Sequence, residues 1–392
     1  MRGRYALEIL DNRRNFMKII KKLVSLTLVL ASTLSLAENG VTDKEIVIGQ
    51  FAAISGPAAL LGQRMQLGMQ TYFNAVNAQG GVNGRTIKLL TRDDGYEPDK
   101  AAAAVKALIR EDKVFALAGS VGTPTGLAAL PILTENQVPL VGMFTGAQAL
   151  REPFNRQVFH VRASYFDETE RIVQHLTTLG IKKIAVFYQN DAYGKAGLEG
   201  MVRALSKRKL TPVSTGTVER NSVDVAKSLE AILKSEPEAV VQITAYTSSA
   251  SFIKQARVKG YGGQFFNVSF VGSKALADEL GDVGAGVVIS QVVPFPYTAN
   301  NAVVRDYQQR MLDAGQNEFD FSSMEGYLTA RVLVEGLRRA GRNLTRDALI
   351  SGLESMHDVN LGGFTINYNA KDHQGSAFTD LTIIGRGGKF MR

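Results

Sequence analysis

The chain has 392 residues, 45% of them hydrophobic, with 38 glycines, 10 prolines and no cysteine. That length supports two domains with ordinary cores. The missing cysteine excludes disulfides, thiol nucleophiles, thiolate metal sites and a lipid-bearing N-terminal Cys. The formal charge is +8, but residues 1–37 hold seven Lys/Arg against two acids, which leaves +3 for the remainder. No nucleic-acid partner is therefore expected from the basic balance.

The N-terminal stretch reads first as a targeting segment. Met17-Lys-Ile-Ile-Lys-Lys22 is basic, Leu23 to Leu36 is an apolar core, and Ser35-Leu36-Ala37 is a small-x-small cleavage site. Together they make residues 1–37 a secretory signal peptide, too short to span a bilayer comfortably. Residues 1–16 either precede a true start at Met17 or, through Arg13-Arg14-Asn15-Phe16, belong to a twin-arginine signal. Both readings lead out of the cytoplasm, and without a lipid anchor or membrane span the expected location is the periplasm.

Strand and helix then alternate. Glu45 to Phe51 is a strand, and the loop Ile54-Ser-Gly-Pro-Ala-Ala-Leu-Leu-Gly62 leads to a helix from about Gln63 to Gln79. Met65, Met69, Tyr72, Phe73 and Val76 form the face of that helix that packs on a sheet. Gly80-Gly81 stops it. Thr86 to Thr91 is the next strand, ending in Arg92-Asp93-Asp94, and Pro98 opens an Ala-rich helix to about Glu111. Val114 to Ala118 is a buried strand, followed by Gly119-Ser-Val-Gly-Thr123, a helix to about Asn136, a strand over Val138 to Val141 and the loop Gly142-Met-Phe-Thr-Gly146. Two hydroxyl-rich loops, carrying Ser120, Thr123 and Thr145, thus emerge side by side at carboxyl ends of parallel strands. One of them begins a helix, whose free N–H groups and dipole suit a carboxylate.

The pattern restarts after Arg162. Helices near 168–179, 195–208, 224–235 and 248–259 alternate with strands near 183–188, 212–218, 239–243 and 264–268. Gln291-Val-Val-Pro-Phe-Pro-Tyr297 is an extended crossover, followed by helices near 300–314, 321–340 and 345–354 and a tail of two or three short strands ending at a solvated edge. The fold class is α/β with doubly wound parallel sheets. The expected division is 38–163 plus 296–365 for the first lobe and 164–295 plus 366–392 for the second.

The ordered set Ile48-Gly-Gln-Phe51, Ser55-Gly-Pro57, Asn77-Ala-Gln-Gly-Gly81 with Asn83-Gly84, Asp93-Asp94, Gly119-Ser-Val-Gly-Thr123, Asp191-Ala-Tyr-Gly194 and Gln255-Ala-Arg257 resembles the branched-chain amino-acid (Leu/Ile/Val) binding proteins of ABC importers. The likeness covers essentially all of the chain after the signal. It implies a type I periplasmic binding fold, two Rossmann-like three-layer lobes on a three-crossover hinge, closing on one small ligand. It further implies that Thr123, Phe144, Thr145 and Gly146 hold the ligand's carboxylate and that Tyr193 closes over it. Tyr246 is the second aromatic, within one residue, and Leu61 faces the ligand from the first loop. The implied partners are the small molecule and a membrane permease, for a monomeric protein without cofactor.

Two departures matter. The acidic residue that pairs with the ligand's ammonium in this group falls at about Ser269 here, and Phe144 replaces a typically small residue. A buried ammonium needs a counter-charge, so these changes suit a carboxylate or amide without an α-amino group. The family's first-lobe disulfide is also missing, with Tyr96 and Gly122 near its place.

No enzyme set competes. His160, His175, His357 and His373 are widely separated, and there is neither a G-x-S-x-G elbow nor a P-loop. Asp93-Asp94 reads as a loop brace rather than an acid/base pair. A sensory binding protein of the same fold, signalling to a membrane receptor, remains the alternative to transport, with a secreted α/β enzyme third.

Overall fold

The computed structural model describes Met17 and residues 38–392. The rest of the expected signal peptide lies outside the described residues. Residues 39–392 carry β1 (Glu45–Ala52), α1 (Ala59–Ala78), β2 (Thr86–Asp93), α2 (Pro98–Arg110), β3 (Ala116–Ala118), α3 (Thr123–Glu135), β4 (Leu140–Val141) and β5 (Val158–Phe159). Then come α4 (Tyr165–Thr178), β6 (Ile184–Gln189), α5 (Ala192–Ser206), β7 (Thr215–Val218), α6 (Ala226–Lys234), β8 (Ala239–Ile243), α7 (Tyr246–Val258) and β9 (Gln264–Asn267). The chain ends with α8 (Ser273–Leu280), β10 (Val288–Gln291), α9 (Ala302–Asp313), α10 (Phe321–Ala340), α11 (Arg346–Glu354), β11 (Val359–Asn360), β12 (Thr365–Ile366), β13 (Asp380–Ile384) and β14 (Phe390–Met391).

The strands form two main sheets. The first is parallel, in the order β2-β1-β3-β4-β5, and the second runs β14-β13-β10-β9-β8-β6-β7. Five strands of the second sheet are parallel, while β13 and β14 join antiparallel. Alternation along β1 explains the layers of the first lobe. Ile46 and Ile48 face a core with Met69 and Phe73 of α1 and Leu333 of α10, whereas Phe51 faces one with Val105 and Leu108 of α2.

Helices α1 and α10 cross at two glycines. A Cβ on Gly68 would lie 1.9 Å from the Ser323 carbonyl oxygen, and one on Gly326 would lie 2.2 Å from that of Met65. Backbone cannot yield as a side chain tip does. Gly68→Ala should therefore lower stability by about 1–3 kcal/mol in urea titrations. An unchanged midpoint would show that the helices separate freely.

The chain passes between sheets from β5 to α4, and from β10 to α9. The third passage falls later than residue 365. Residues 367–375 stay on the first sheet, where His160 N–H donates to His373 (2.9 Å), Gly375 N–H donates to His160 (2.7 Å) and Tyr368 is buried in the first-lobe core. Passage to the second sheet comes between Gly375 and β13. The segment is mostly polar in sequence, and its backbone bonds to His160 are joined by the His373 ring stacked 3.7 Å from Phe159 of β5 and by the Tyr368 hydroxyl donating to the His160 carbonyl (3.0 Å).

Candidate functional site

The two hydroxyl loops meet as expected. Phe144 N–H donates to the Ser120 carbonyl (2.7 Å) and Gly122 N–H to that of Phe144 (3.2 Å), lacing the loops together beyond β3 and β4. Thr123 begins α3, with Pro124 in its first turn. Its hydroxyl lies 2.6 Å from that of Thr145, which in turn donates to Tyr165 Oη at 3.2 Å. All three residues are buried. The N-cap is Gly122 and makes no side-chain cap bond, so the threonines are not used as caps. Thr125 instead donates back to Val121 and Gly122 carbonyls. The Ser120 hydroxyl accepts from Phe51 N–H at 3.3 Å, which makes it a loop brace.

The second lobe supplies an aromatic wall. Asp191 caps α5 by accepting from Tyr193 and Gly194 N–H groups, which fixes Tyr193 in the first turn. The Tyr193 ring lies 4.4 Å from Phe270 and 5.5 Å from Tyr165, and Phe270 lies 5.5 Å from Phe144. Tyr193 is fully buried and its hydroxyl has no partner. Gly146 sits against the entry to α4, its carbonyl accepting from Tyr165 N–H at 2.8 Å. Thr123, Phe144, Thr145, Gly146, Tyr193 and Ser269 thus share one neighbourhood. Leu61 and Tyr246 lie together elsewhere between the lobes: a Cβ on Gly272 would come 2.5 Å from Leu61 Cδ2 and 3.8 Å from Tyr246 Cδ1. Tyr96 and Gly122 do meet, the same construction placing a Gly122 Cβ 2.4 Å from the Tyr96 ring.

Ser269 is where space departs from sequence. No acid is near it along the chain before Asp278, yet Glu168 of α4 reaches it, accepting from Ser269 N–H (2.8 Å) and Oγ (3.0 Å). Ser290 of β10 also donates to Glu168, and Arg162 Nη2 pairs with it at 3.0 Å. Arg162 is fully buried, stacks 5.0 Å over Phe144, and sets its Nη1 3.5 Å from Glu325 of α10. Burial, opposed by Arg162, pushes the Glu325 carboxyl up to about 7. One guanidinium at the first crossover therefore joins a carboxylate from each lobe. A carboxylate offers about four lone-pair sites, and four donors already occupy Glu168.

Arg162, Glu168 and Phe270 were not singled out from sequence. The one local signal is Val161-Arg162-Ala163, an Arg between apolar residues at a strand end. Asp93 and Asp94 act as loop braces: Asp93 accepts from Ile54, Ser55 and Gly95 N–H groups, and Asp94 from Tyr96 N–H. Among the described residues no cluster of acids and histidines could hold a metal, and no helix is long and apolar enough to cross a membrane.

The family described as periplasmic binding protein matches residues 45–387. A possible leucine/isoleucine/valine-binding protein from Rhodopirellula baltica SH 1 is 34% identical with a TM-score of 0.86, over 89% of this chain and 97% of that one. A substrate-binding periplasmic protein from Ralstonia solanacearum is 30% identical with a TM-score of 0.84, over 88% and 99%. Leu/Ile/Val-binding protein homolog 7 of Brucella abortus is 26% identical over 357 residues, 87% of this chain and 88% of the relative.

Proposed function

The chain belongs to the periplasmic binding protein family, of the branched-chain amino-acid ABC-transporter type, and we propose that it binds a small carboxylate or amide lacking an α-amino group. On this reading the ligand lies between the lobes, and the closed form delivers it to an inner-membrane permease. The chain acts as an exported monomer and catalyses nothing. The observation that carries the ligand class is the saturation of Glu168. Its acceptor positions are taken by Arg162, Ser269 and Ser290, so it has none to spare for an ammonium.

The anion end is assigned to the Thr123–Thr145 hydroxyl pair and the start of α3, where N–H groups lack intrahelical partners. Phe144, Tyr193 and Phe270 supply the apolar walls, and Leu61 with Tyr246 close the outer side. Closure desolvates the ligand between the lobes, which is where affinity arises.

Thr123→Ala removes one hydroxyl contact worth about 1–2 kcal/mol, roughly a tenfold rise in Kd. Isothermal titration of the parent and variant with a bound acid tests this. Equal affinity would take the anion end away from this loop.

A further inference from the structure

The lobes also meet through polar groups beside the aromatic wall. Between β2 and α2 the first lobe offers Asp94-Gly95-Tyr96-Glu97, and after β7 the second lobe offers Glu219-Arg220-Asn221. Glu97 uses both carboxylate oxygens across the gap: Oε2 accepts from Arg220 Nη2 and Oε1 from Asn221 Nδ2, each at 2.8 Å. Asn221 Nδ2 also reaches the Gly95 carbonyl at 3.1 Å. Gln189 Nε2 of β6 donates to the Tyr96 hydroxyl at 3.1 Å, and the Tyr96 ring lies 5.8 Å from Phe270.

An isolated surface pair is worth little, because two long side chains must be ordered to make it. Here both sides are ordered by bonds within their own lobe. On the first lobe, the Asp94 carboxylate accepts from Tyr96 N–H (2.8 Å) and the Asp94 carbonyl from Glu97 N–H (2.9 Å). These bonds hold Gly95 and Tyr96 at φ of 56° and 62°, a left-handed turn that is costly for a tyrosine. On the second lobe, Ser248 and Ser251 donate to the Ser222 (2.7 Å) and Val223 (3.0 Å) carbonyls, which fixes the turn carrying Asn221. The charges are only partly exposed, 22% for the Arg220 side chain and 38% for Glu97. Arg220 Nη1 also pairs with Asp191 Oδ2 at 3.2 Å, and Asp191 Oδ1 accepts from Tyr193 N–H at 2.9 Å. The contact between the lobes is thus joined to the aromatic wall.

We propose that Glu97, Arg220 and Asn221 form a clasp that sets how much of the protein is closed. The clasp rests on the reading that the lobes close on a ligand, and it adds contacts that exist only when they are together. Weakening it lowers the closed population, and with it the apparent affinity for whichever ligand the closed form holds. Partly exposed charges are screened by salt, so the clasp makes closure sensitive to ionic strength.

The test follows the lobes with no ligand present, on protein unfolded and refolded to remove bound molecules. The chain has no cysteine, so Lys106→Cys on α2 and Lys227→Cys on α6, both exposed, carry two dyes for single-molecule energy transfer between the lobes. On that labelled background, Glu97→Ala should raise the open-to-closed ratio roughly fivefold at low salt. Raising NaCl from about 0.05 M to about 0.5 M should raise the ratio in the parent and move the variant much less. Arg156→Ala, which breaks a pair with Asp347 inside the first lobe, should match the parent. Equal ratios in Glu97→Ala and the parent, with salt moving both alike, would overturn the clasp and leave closure standing. An equal shift in Arg156→Ala would also overturn the clasp. One fixed distance in every variant and at every salt would overturn clasp and closure together.

Discussion

Glu168→Ala is expected to cost about 3–5 kcal/mol of unfolding free energy, more than any single surface change in this protein. The reason is the number of groups left behind. Arg162 is fully buried, and the Ser269 N–H, the Ser269 and Ser290 hydroxyls and the guanidinium all point at the lost carboxylate. None of them can turn to water without opening the junction between α4, the crossover and β10. Urea titration of the parent and variant measures the effect. A triple variant, Arg162→Met with Glu168→Leu and Glu325→Gln, should recover part of the loss, because no uncompensated charge is then left in the junction. A cost below about 1 kcal/mol for Glu168→Ala would mean that the pair is not held in a dry site.

The contribution of Glu325 to stability is expected to fall as pH rises from about 4.5 to about 7, and Glu325→Gln should remove that contribution from the profile. Burial raises the Glu325 carboxyl from 4.5 to about 7, despite the attraction of Arg162. At this group the folded chain therefore binds more protons than the unfolded chain across this window, and its term in the pH derivative of unfolding free energy is negative. Integrated over the window, the group contributes about 3 kcal/mol that is present below pH 4.5 and gone above 7. Asp94 works in the same direction: it is fully buried and raised from 3.8 to about 7, mainly by desolvation. Asp94 keeps its contribution in the variant, and buried His160 and His373, whose pKa values burial lowers, act in the opposite direction, so the comparison of variant with parent isolates Glu325. The difference between Glu325→Gln and parent should grow steadily with pH. Parallel profiles would place Glu325 in contact with solvent.

Much of this architecture is legible in the sequence because local signals agree with burial. The strand Ala239–Ile243 and the helix Phe321–Ala340 lie where apolar pattern and helix breakers put them. Starts are less legible. The fourth helix begins at Tyr165 rather than Glu168 because Ser164 and Asp167 form a capping box, a signal that was present and passed over. The first helix starts at Ala59, four residues early, without any side-chain cap to mark it.

The hydroxyl loops and Tyr193 were legible because each sits at a strand end with its own turn chemistry. The charged junction was not. Glu168 and Ser269 are 101 positions apart, and nothing local in either segment reveals the other. Reading the acids near Ser269 along the chain therefore missed the carboxylate that reaches it across the fold. The late third passage has a similar cause, since Tyr368 and His373 pack on Phe159, more than 200 positions earlier in the chain, and sit among polar residues with no local apolar pattern.

The central claim concerns what the lobes close on. The purified protein, unfolded and refolded to remove bound molecules, would be melted with leucine, isoleucine and valine, with their deaminated acids, and with aromatic acids and small amides. A true ligand at 100 times its Kd adds about 2.7 kcal/mol, a clear rise in Tm. The account predicts a rise with one or more acids or amides lacking an amino group, and none with the three amino acids. A rise with leucine, isoleucine or valine alone would contradict it, and would assign the ammonium to Glu325 instead of excluding it.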